Sequence, residues 1–412
     1  MSVLAGLRGR IATSASVFGI LAAIVSAHAS TSENVLHKFQ GASDGSIPQA
    51  GLIADSAGNL YGTTAAGGGG TGCDDSKLGC GTVFEIPVKG KETVLHAFAG
   101  GCDGAFPVGV VKNDSQDNLY GTTEGGGICN NDGGYGTVFK LAPGGAESLL
   151  YAFQGATDGN APLGNISLDP QGNVYGATEF GGNVAVCGFG CGVVFEVTPT
   201  GAETVVHAFQ GGADGLEPLA GVIMDGSGNL FGTTDGGGGS GNCPAGCGTV
   251  FEIAPDGTET VLYAFQGGTD GAFPRSSLIL DGAGDLYGTT EAGGSNGYGT
   301  VFEVTPTGSE TILHSFKAGS DGDAPLAGLA MDNAGNLYGT TFAGGGTQCK
   351  HVGCGTIFEV TAKGKEKVLY SFHSTHGRNP AAGLLPGAHD KLYGTTMEGG
   401  KDNNGVVFEL EK

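Results

Sequence analysis

Four short apolar stretches, separated by glycine-rich polar turns, recur in constant order along the chain. In the first full copy they are Gly51-Leu52-Ile53-Ala54-Asp55, Asn59-Leu60-Tyr61-Gly62-Thr63-Thr64, Gly81-Thr82-Val83-Phe84-Glu85-Ile86 and Val94-Leu95-His96-Ala97-Phe98. They are too short for amphipathic helices and rich in β-branched and aromatic residues, which predicts strands. An Asp-x-x-Gly-Asn turn joins the first two stretches in most copies, and its glycine supplies the positive φ of a tight hairpin. The second stretch carries its aromatic residue at Tyr61, Tyr120, Tyr175, Phe231, Tyr287, Tyr338 and Tyr393, with steps of 51 to 59 residues. Four antiparallel strands in a unit of that size make a propeller blade, whereas a coil of a parallel β-helix is much shorter. The pattern therefore predicts an all-β, seven-bladed β-propeller with four antiparallel strands per blade.

The chain ends out of phase with its repeat. An orphan fourth strand, Asn34 to Phe39, opens it, and a third strand, Gly405 to Leu410, closes it. Together they complete one blade, so the N-terminal strand is expected to close the ring and leave no raw edge. If the first strand of each blade lines the central channel, the loops from second to third and from fourth to first strands share one rim. Those loops are long and variable, and the opposite rim has only short turns. Binding residues collect on loops held by a rigid scaffold, so function is expected on the long-loop rim.

Composition sharpens this picture. Glycine supplies 84 of 412 residues and charged residues are 14%, which leaves little from which to build long helices. The formal charge of −23 excludes nucleic acid as a natural partner, because Lys and Arg to neutralise phosphates are scarce. Arg8 and Arg10, the apolar run Val17 to Val25 and Ala27-His28-Ala29 read as a cleaved secretory signal over residues 1–29. The apolar run is too short to cross a bilayer core of about 30 Å. The remainder, 30–412, is expected to be one propeller domain, secreted or periplasmic and not membrane-spanning. Ten cysteines in an exported chain point to disulfides. Cys73 with Cys80, Cys187 with Cys191, Cys243 with Cys247 and Cys349 with Cys354 share one slot of the repeat, which leaves Cys102 to pair with Cys129. Zinc is disfavoured, since these pairs lie in separate repeats and lack His partners.

The combined pattern of Gly-Asn-Leu-Tyr-Gly-Thr-Thr, Gly-Thr-Val-Phe-Glu, Val-Leu-His-Ala-Phe and Asp-Gly-x-x-Pro resembles the GloVer tandem repeat of exported bacterial proteins, over essentially the whole mature chain. Asp-x-x-Gly-Asn-Leu-Tyr is more distantly similar to repeats of streptogramin-lyase-like and sensor-type propellers. The resemblance implies an exported propeller and carries over no catalytic residue.

Repetition also weighs the candidate chemistry. Asp44, Asp103, Asp158, Asp214, Asp270 and Asp321 precede Gly in six blades, with His376 in the seventh. Calcium at such a ring of carboxylates is weighed against turn formation, and turn formation is preferred because a residue present in nearly every blade serves the blade. His37, His96, His207 and His314 alternate with Tyr151, Tyr263 and Tyr370 at one outer-strand position, which asks for a flat ring with a polar tip. The departures are more informative. Glu124, Glu179, Asp235 and Glu291 follow Thr-Thr, or Ala177-Thr178 in the case of Glu179, in four blades, where an acidic arc at the channel mouth is expected. Arg275 and Arg378, the two arginines of the mature chain, fall in rim loops and suit capture of an anionic group, with Phe106 and Phe273 offering flat apolar surface. His376 is the candidate acid or base. No nucleophile elbow, zinc motif or phosphate loop occurs.

These readings favour a binding or interaction module for a small-molecule or glycan ligand on the long-loop rim, with no cofactor. The rival classes are a polysaccharide lyase or hydrolase acting on an acidic glycan, and a structural surface protein.

Overall fold

The computed structural model describes residues 32–73, 78–129, 133–239, 242–346, 349 and 352–412. The expected signal segment lies outside the described residues. Thr31–Lys412 forms one compact unit of seven four-stranded antiparallel sheets. Blade 1 contains Ile53–Ala54, Leu60–Thr64, Thr82–Ile86 and Thr93–Ala97, paired in chain order. In blade 7 the terminal strands meet: Ser32–Lys38 pairs antiparallel with Val406–Glu411, placing Val35 opposite Phe408. The expected closure is present. Helix among the described residues is limited to single turns at Gly101–Asp103 and Val184–Cys187, and among those residues no helix is long and apolar enough to cross a membrane.

The repeat motif decodes residue by residue into contacts that hold blades together. Each fourth strand ends in a fully buried Phe that meets a third-strand Phe of the next blade edge-on: Phe39 with Phe84, Phe98 with Phe139, and so on to Phe372 with Phe408. Burying one such ring stabilises by about 1.5–3 kcal/mol. The glycine of Tyr-Gly-Thr-Thr makes the room. Gly62 stands opposite Phe84, and a Cβ on it would lie 2.7 Å from the ring. This glycine is required by packing, since its backbone does not adopt positive φ. Of the two threonines, the first reaches in five blades a carbonyl of the segment leading into the next blade's inner strand, as Thr395 Oγ1 does to Ala50 at 2.9 Å. The second meets the third strand of its own blade, with Thr64 Oγ1 2.8 Å from Thr82 Oγ1.

The short-turn rim is equally well accounted for. Asp55 accepts hydrogen bonds from the backbone N–H groups of Ala57 and Asn59, the Asn59 amide and the Tyr61 hydroxyl. These donors favour the ionised form and hold its carboxyl below the usual range against the opposing pull of burial. Asp114, Asp225 and Asp332 stand in the same turn with the same depression.

The channel narrows to a waist. Asn165 of blade 3 accepts from the Val110 N–H of blade 2 and donates Nδ2–H to the Ser277 hydroxyl of blade 5, at 3.1 and 2.8 Å. On the long-loop side lies a small mouth of about 120 Å³, which Arg275 lines, and on the short-turn side a vestibule of about 440 Å³.

Candidate functional site

The aspartates of Asp-Gly lie at the outer seams between blades. Each accepts a backbone N–H four residues upstream, as Asp158 does from Gln154 at 2.8 Å, and faces the His or Tyr of the outer strand. Tyr151 and Tyr263 donate to Asp158 and Asp270 at 2.8 and 2.7 Å, and His37 stands 3.3 Å from Asp44. A third member escaped the sequence reading. Glu92, Glu147, Glu203, Glu259, Glu310, Glu366 and Glu33 bring one carboxylate into each seam, and Oε1 of every one is buried without a hydrogen-bond partner. Burial first, and the facing aspartate second, push Glu92, Glu203, Glu310, Glu259 and Glu366 up to about 7. The recurrence of Glu four residues before each His or Tyr was the signal that could have revealed them.

In three seams the donor atoms of His37, Asp44 and Glu92, of His207, Asp214 and Glu259, and of His314, Asp321 and Glu366 lie within 4.8 Å of one another, a ligand set that could hold a divalent cation. Two other seams assemble with a tyrosine hydroxyl in place of the imidazole, so the seam role does not require a cation. His376 takes the seam place of the aspartates. Its Nδ1 lies 3.0 Å from Glu33, the imidazole is 51% exposed, and Tyr370 donates to the same carboxylate.

The residues that vary between blades converge on the long-loop rim. Seven residues preceding proline, Ile47, Phe106, Ala161, Glu217, Phe273, Ala324 and Asn379, have φ between 52° and 62°. Non-glycine residues rarely occupy that region, and here two hydrogen bonds hold each one. The Phe106 N–H donates to the Cys80 carbonyl at 2.8 Å, and its own carbonyl accepts from the Glu124 N–H at 3.0 Å. The second bond recurs between Ala161 and Glu179, Glu217 and Asp235, and Phe273 and Glu291. Every blade thus sets its pre-proline residue beside the residue after Thr-Thr.

This pairing makes the rim two-sided. Blades 2 to 5 contribute Glu124, Glu179, Glu217, Asp235 and Glu291, whereas blades 6, 7 and 1 contribute Phe342, Met397 and Ala65 after Thr-Thr. Glu179 stands within electrostatic reach of Glu124, Asp235 and Glu217, and Glu217 is absent from the sequence candidates because its blade-to-blade counterparts are apolar or amide residues. Burial, then the charges of Glu217, Glu124 and Asp235, push Glu179 up to about 7. Burial also raises Glu124, and burial with the Asp235 charge raises Glu217.

Both arginines are already matched with carboxylates. Arg275 lies 2.6 Å from Asp235 through Nε and 2.6 Å from Glu291 through Nη1, and its guanidinium carbon is 6.0 Å from the Phe273 ring centre. Arg378 pairs with Glu398. The two do not share a partner.

A cavity of about 290 Å³ opens between blades 2 and 3, lined by Phe106, Phe180, Glu124, Glu179 and Asn160. Phe189, 81% exposed, stands 6.2 Å from Phe180 on the loop closed by Cys187–Cys191. All five disulfides join as the spacing indicated, including Cys73–Cys80, Cys102–Cys129, Cys243–Cys247 and Cys349–Cys354. A larger cleft, about 660 Å³, lies on the opposite rim between blades 3 and 4. Of its acidic members Asp169, Glu196, Asp225 and Asp256, the three aspartates accept hydrogen bonds within their own turns.

Comparison with known proteins agrees with this architecture. The model of the Gloeobacter/Verrucomicrobia repeat matches residues 12–187, 69–300 and 239–412. No curated protein matches the chain. Among solved structures, the extracellular domain of BT4673 from B. thetaiotaomicron, assigned to a one component system, superposes with a TM-score of 0.54 at 10% identity. The match covers 90% of this chain and 40% of that one, so the chain spans about two fifths of its length. A protein of Bacteroides uniformis ATCC 8492, assigned as a 6-phosphogluconolactonase, superposes with a TM-score of 0.50 at 18% identity, covering 84% of this chain and 89% of that one. Likeness at these identities establishes the shared propeller fold. The disulfides and the extracellular-domain neighbour fit an exported protein.

Proposed function

The chain belongs to the Gloeobacter/Verrucomicrobia repeat family, and on that premise we propose that it is an exported binding module whose long-loop rim takes a small-molecule or glycan ligand, neutral or cationic. The observation that carries this reading is that Glu124 and Glu179 share one cavity with Phe106 and Phe180, with Glu217 and Asp235 close enough to act on Glu179, on positions whose side chains vary from blade to blade. Carboxylates accept hydrogen bonds from hydroxyl or ammonium groups, and the rings cover an apolar sugar or aliphatic face. With Arg275 and Arg378 matched by acids, an anionic ligand meets net repulsion. Secretion or periplasmic residence belongs to the same proposal, supported by the expected signal segment and the disulfides.

A hydrolase is the second reading, favoured by one observation. Glu179 is pushed up to about 7 beside other carboxylates, and carboxyl groups whose environments separate their proton affinities can divide acid and base roles. Retention of neutral, amino and uronic-acid oligosaccharides on the immobilised protein, with assay of new reducing ends, separates the readings. Retention of neutral or amino sugars without turnover supports the module. Turnover abolished by Glu179→Gln supports the hydrolase, and selective retention of uronic acids contradicts the module.

A further inference from the structure

The vestibule on the short-turn side of the waist is walled by aliphatic side chains such as Leu52, Ile166, Met224 and Leu280, and Lys112 is the charged residue among those lining it. Cross-strand pairing defines its place in the repeat. Lys112 stands opposite Tyr120, where the other blades set Ile53, Ser167, Ile223, Ile279, Ala330 and Leu385 opposite their own aromatics. No repeat role calls for an ammonium there, since six blades assemble without one. Nor does Lys112 have an ion-pair partner among the described residues, in a chain of net charge −23 with acids on every turn. Burial alone acts on it, and lowers its proton affinity. A half-buried ammonium without a counter-ion destabilises the fold it sits in, because its lost hydration is not replaced.

We infer that Lys112 and the apolar vestibule form a second binding site, distinct from the rim, for an amphiphilic monoanion: one carboxylate head on an aliphatic body. The head pairs with the Lys112 ammonium and replaces its lost hydration. The body lies along the vestibule walls, where the half-buried Met224 and Leu280 gain burial in the same step. The vestibule, about 440 Å³, falls in the range of small-ligand sites, about 300–1,000 Å³. Its walls offer no second positive charge to a larger polyanion, and Asn165 is committed to the waist through Val110 and Ser277.

The test uses three probes with one chain length, octanoate, octylammonium and octanol, together with acetate, titrated by calorimetry against the oxidised mature protein and Lys112→Met. Octanoate is expected to bind, with octylammonium and acetate failing and octanol weak. Lys112→Met should lower octanoate affinity by roughly tenfold or more, the scale of a lost charged hydrogen bond, while leaving octanol unchanged. The variant should also melt at the same or a higher temperature, since an uncompensated charge is removed. Glu179→Gln on the rim should leave octanoate binding intact, which separates failure of this site from failure of the rim reading. Equal binding of octanoate and octylammonium, no octanoate binding, unaltered octanoate affinity in Lys112→Met, or a large loss of melting temperature in that variant would each overturn the assignment.

Discussion

Arg275 is held against Asp235, its Nε 2.6 Å from one carboxylate oxygen and Nη2 3.4 Å from the other, while Nη1 reaches Glu291. The rim's best-placed arginine is therefore a keystone for its acids. The guanidinium is 41% exposed, so the pair adds modestly to stability, about 1 kcal/mol or less. Arg275→Gln should lower stability by that order at low salt and by less at high salt, where screening weakens the pair. Chemical denaturation at the two ionic strengths checks this, and a loss independent of salt would contradict the keystone role.

Ring closure makes Phe39 an equal member of the phenylalanine series, fully buried against Phe84 although it lies in the terminal strand's extension. Phe39→Ala should cost about 3–5 kcal/mol, the range for emptying a core aromatic site, as Phe153→Ala should in mid-chain. A Phe39→Ala cost below 1 kcal/mol, against a full cost at Phe153, would mean that the terminal strand is not part of the ring.

Gly288 lies in a strand without positive φ, where alanine normally helps by restricting the unfolded chain. Here the added Cβ would lie 2.6 Å from the Phe302 ring. Gly288→Ala is expected to destabilise by about 1–3 kcal/mol, as overpacking does. A stabilised variant in urea denaturation would refute the packing explanation of the Tyr-Gly-Thr-Thr glycine.

The seams impose a pH optimum. Glu92, Glu203, Glu259, Glu310 and Glu366 have folded-state values near 7 against 4.5 unfolded. Between those limits the native state binds more protons, so their stabilisation is complete below 4.5 and is lost as pH rises through 7. The turn aspartates act oppositely: Asp55, Asp114, Asp225 and Asp332 are held below 3.8, and their contribution disappears on acidification. Melting temperature should therefore peak near about pH 4–5 and fall toward pH 8. The triple substitution Glu203→Gln, Glu259→Gln and Glu310→Gln should flatten the alkaline side. A melting temperature that climbs steadily from pH 4 to 8 would contradict the seam account.

Much of this architecture is legible in the sequence because repetition multiplies each local signal. Blade number, strand order, closure through Asn34 to Phe39 and the disulfide partners all follow from phase and spacing. What stayed hidden depends on side chains meeting across blades. Gly62 stands inside a predicted strand with no stated reason until Phe84 is seen to need its space. Glu203 reads as a solvated strand end until Asp158 and Tyr151 face it. Arg275 and Arg378 read as free cations in an acidic chain because spacing cannot show that Asp235, Glu291 and Glu398 already meet them. The site was legible as a place, the rim where repeats diverge, while Glu217 and the ring of positive-φ residues needed the backbone geometry to be found.

The central claim, that ligand is held by the variable residues of the long-loop rim, is tested most directly by titrating the best-retained oligosaccharide against wild type, Phe106→Ala, Glu179→Gln and an opposite-rim control, Gln171→Ala with Asp256→Ala. The account predicts that each rim substitution weakens binding by about 1.5–3 kcal/mol, roughly tenfold to a hundredfold. The control should bind as wild type, and the rim variants should keep their melting temperatures. Undiminished affinity in both rim variants, with loss in the opposite-rim control, would contradict it.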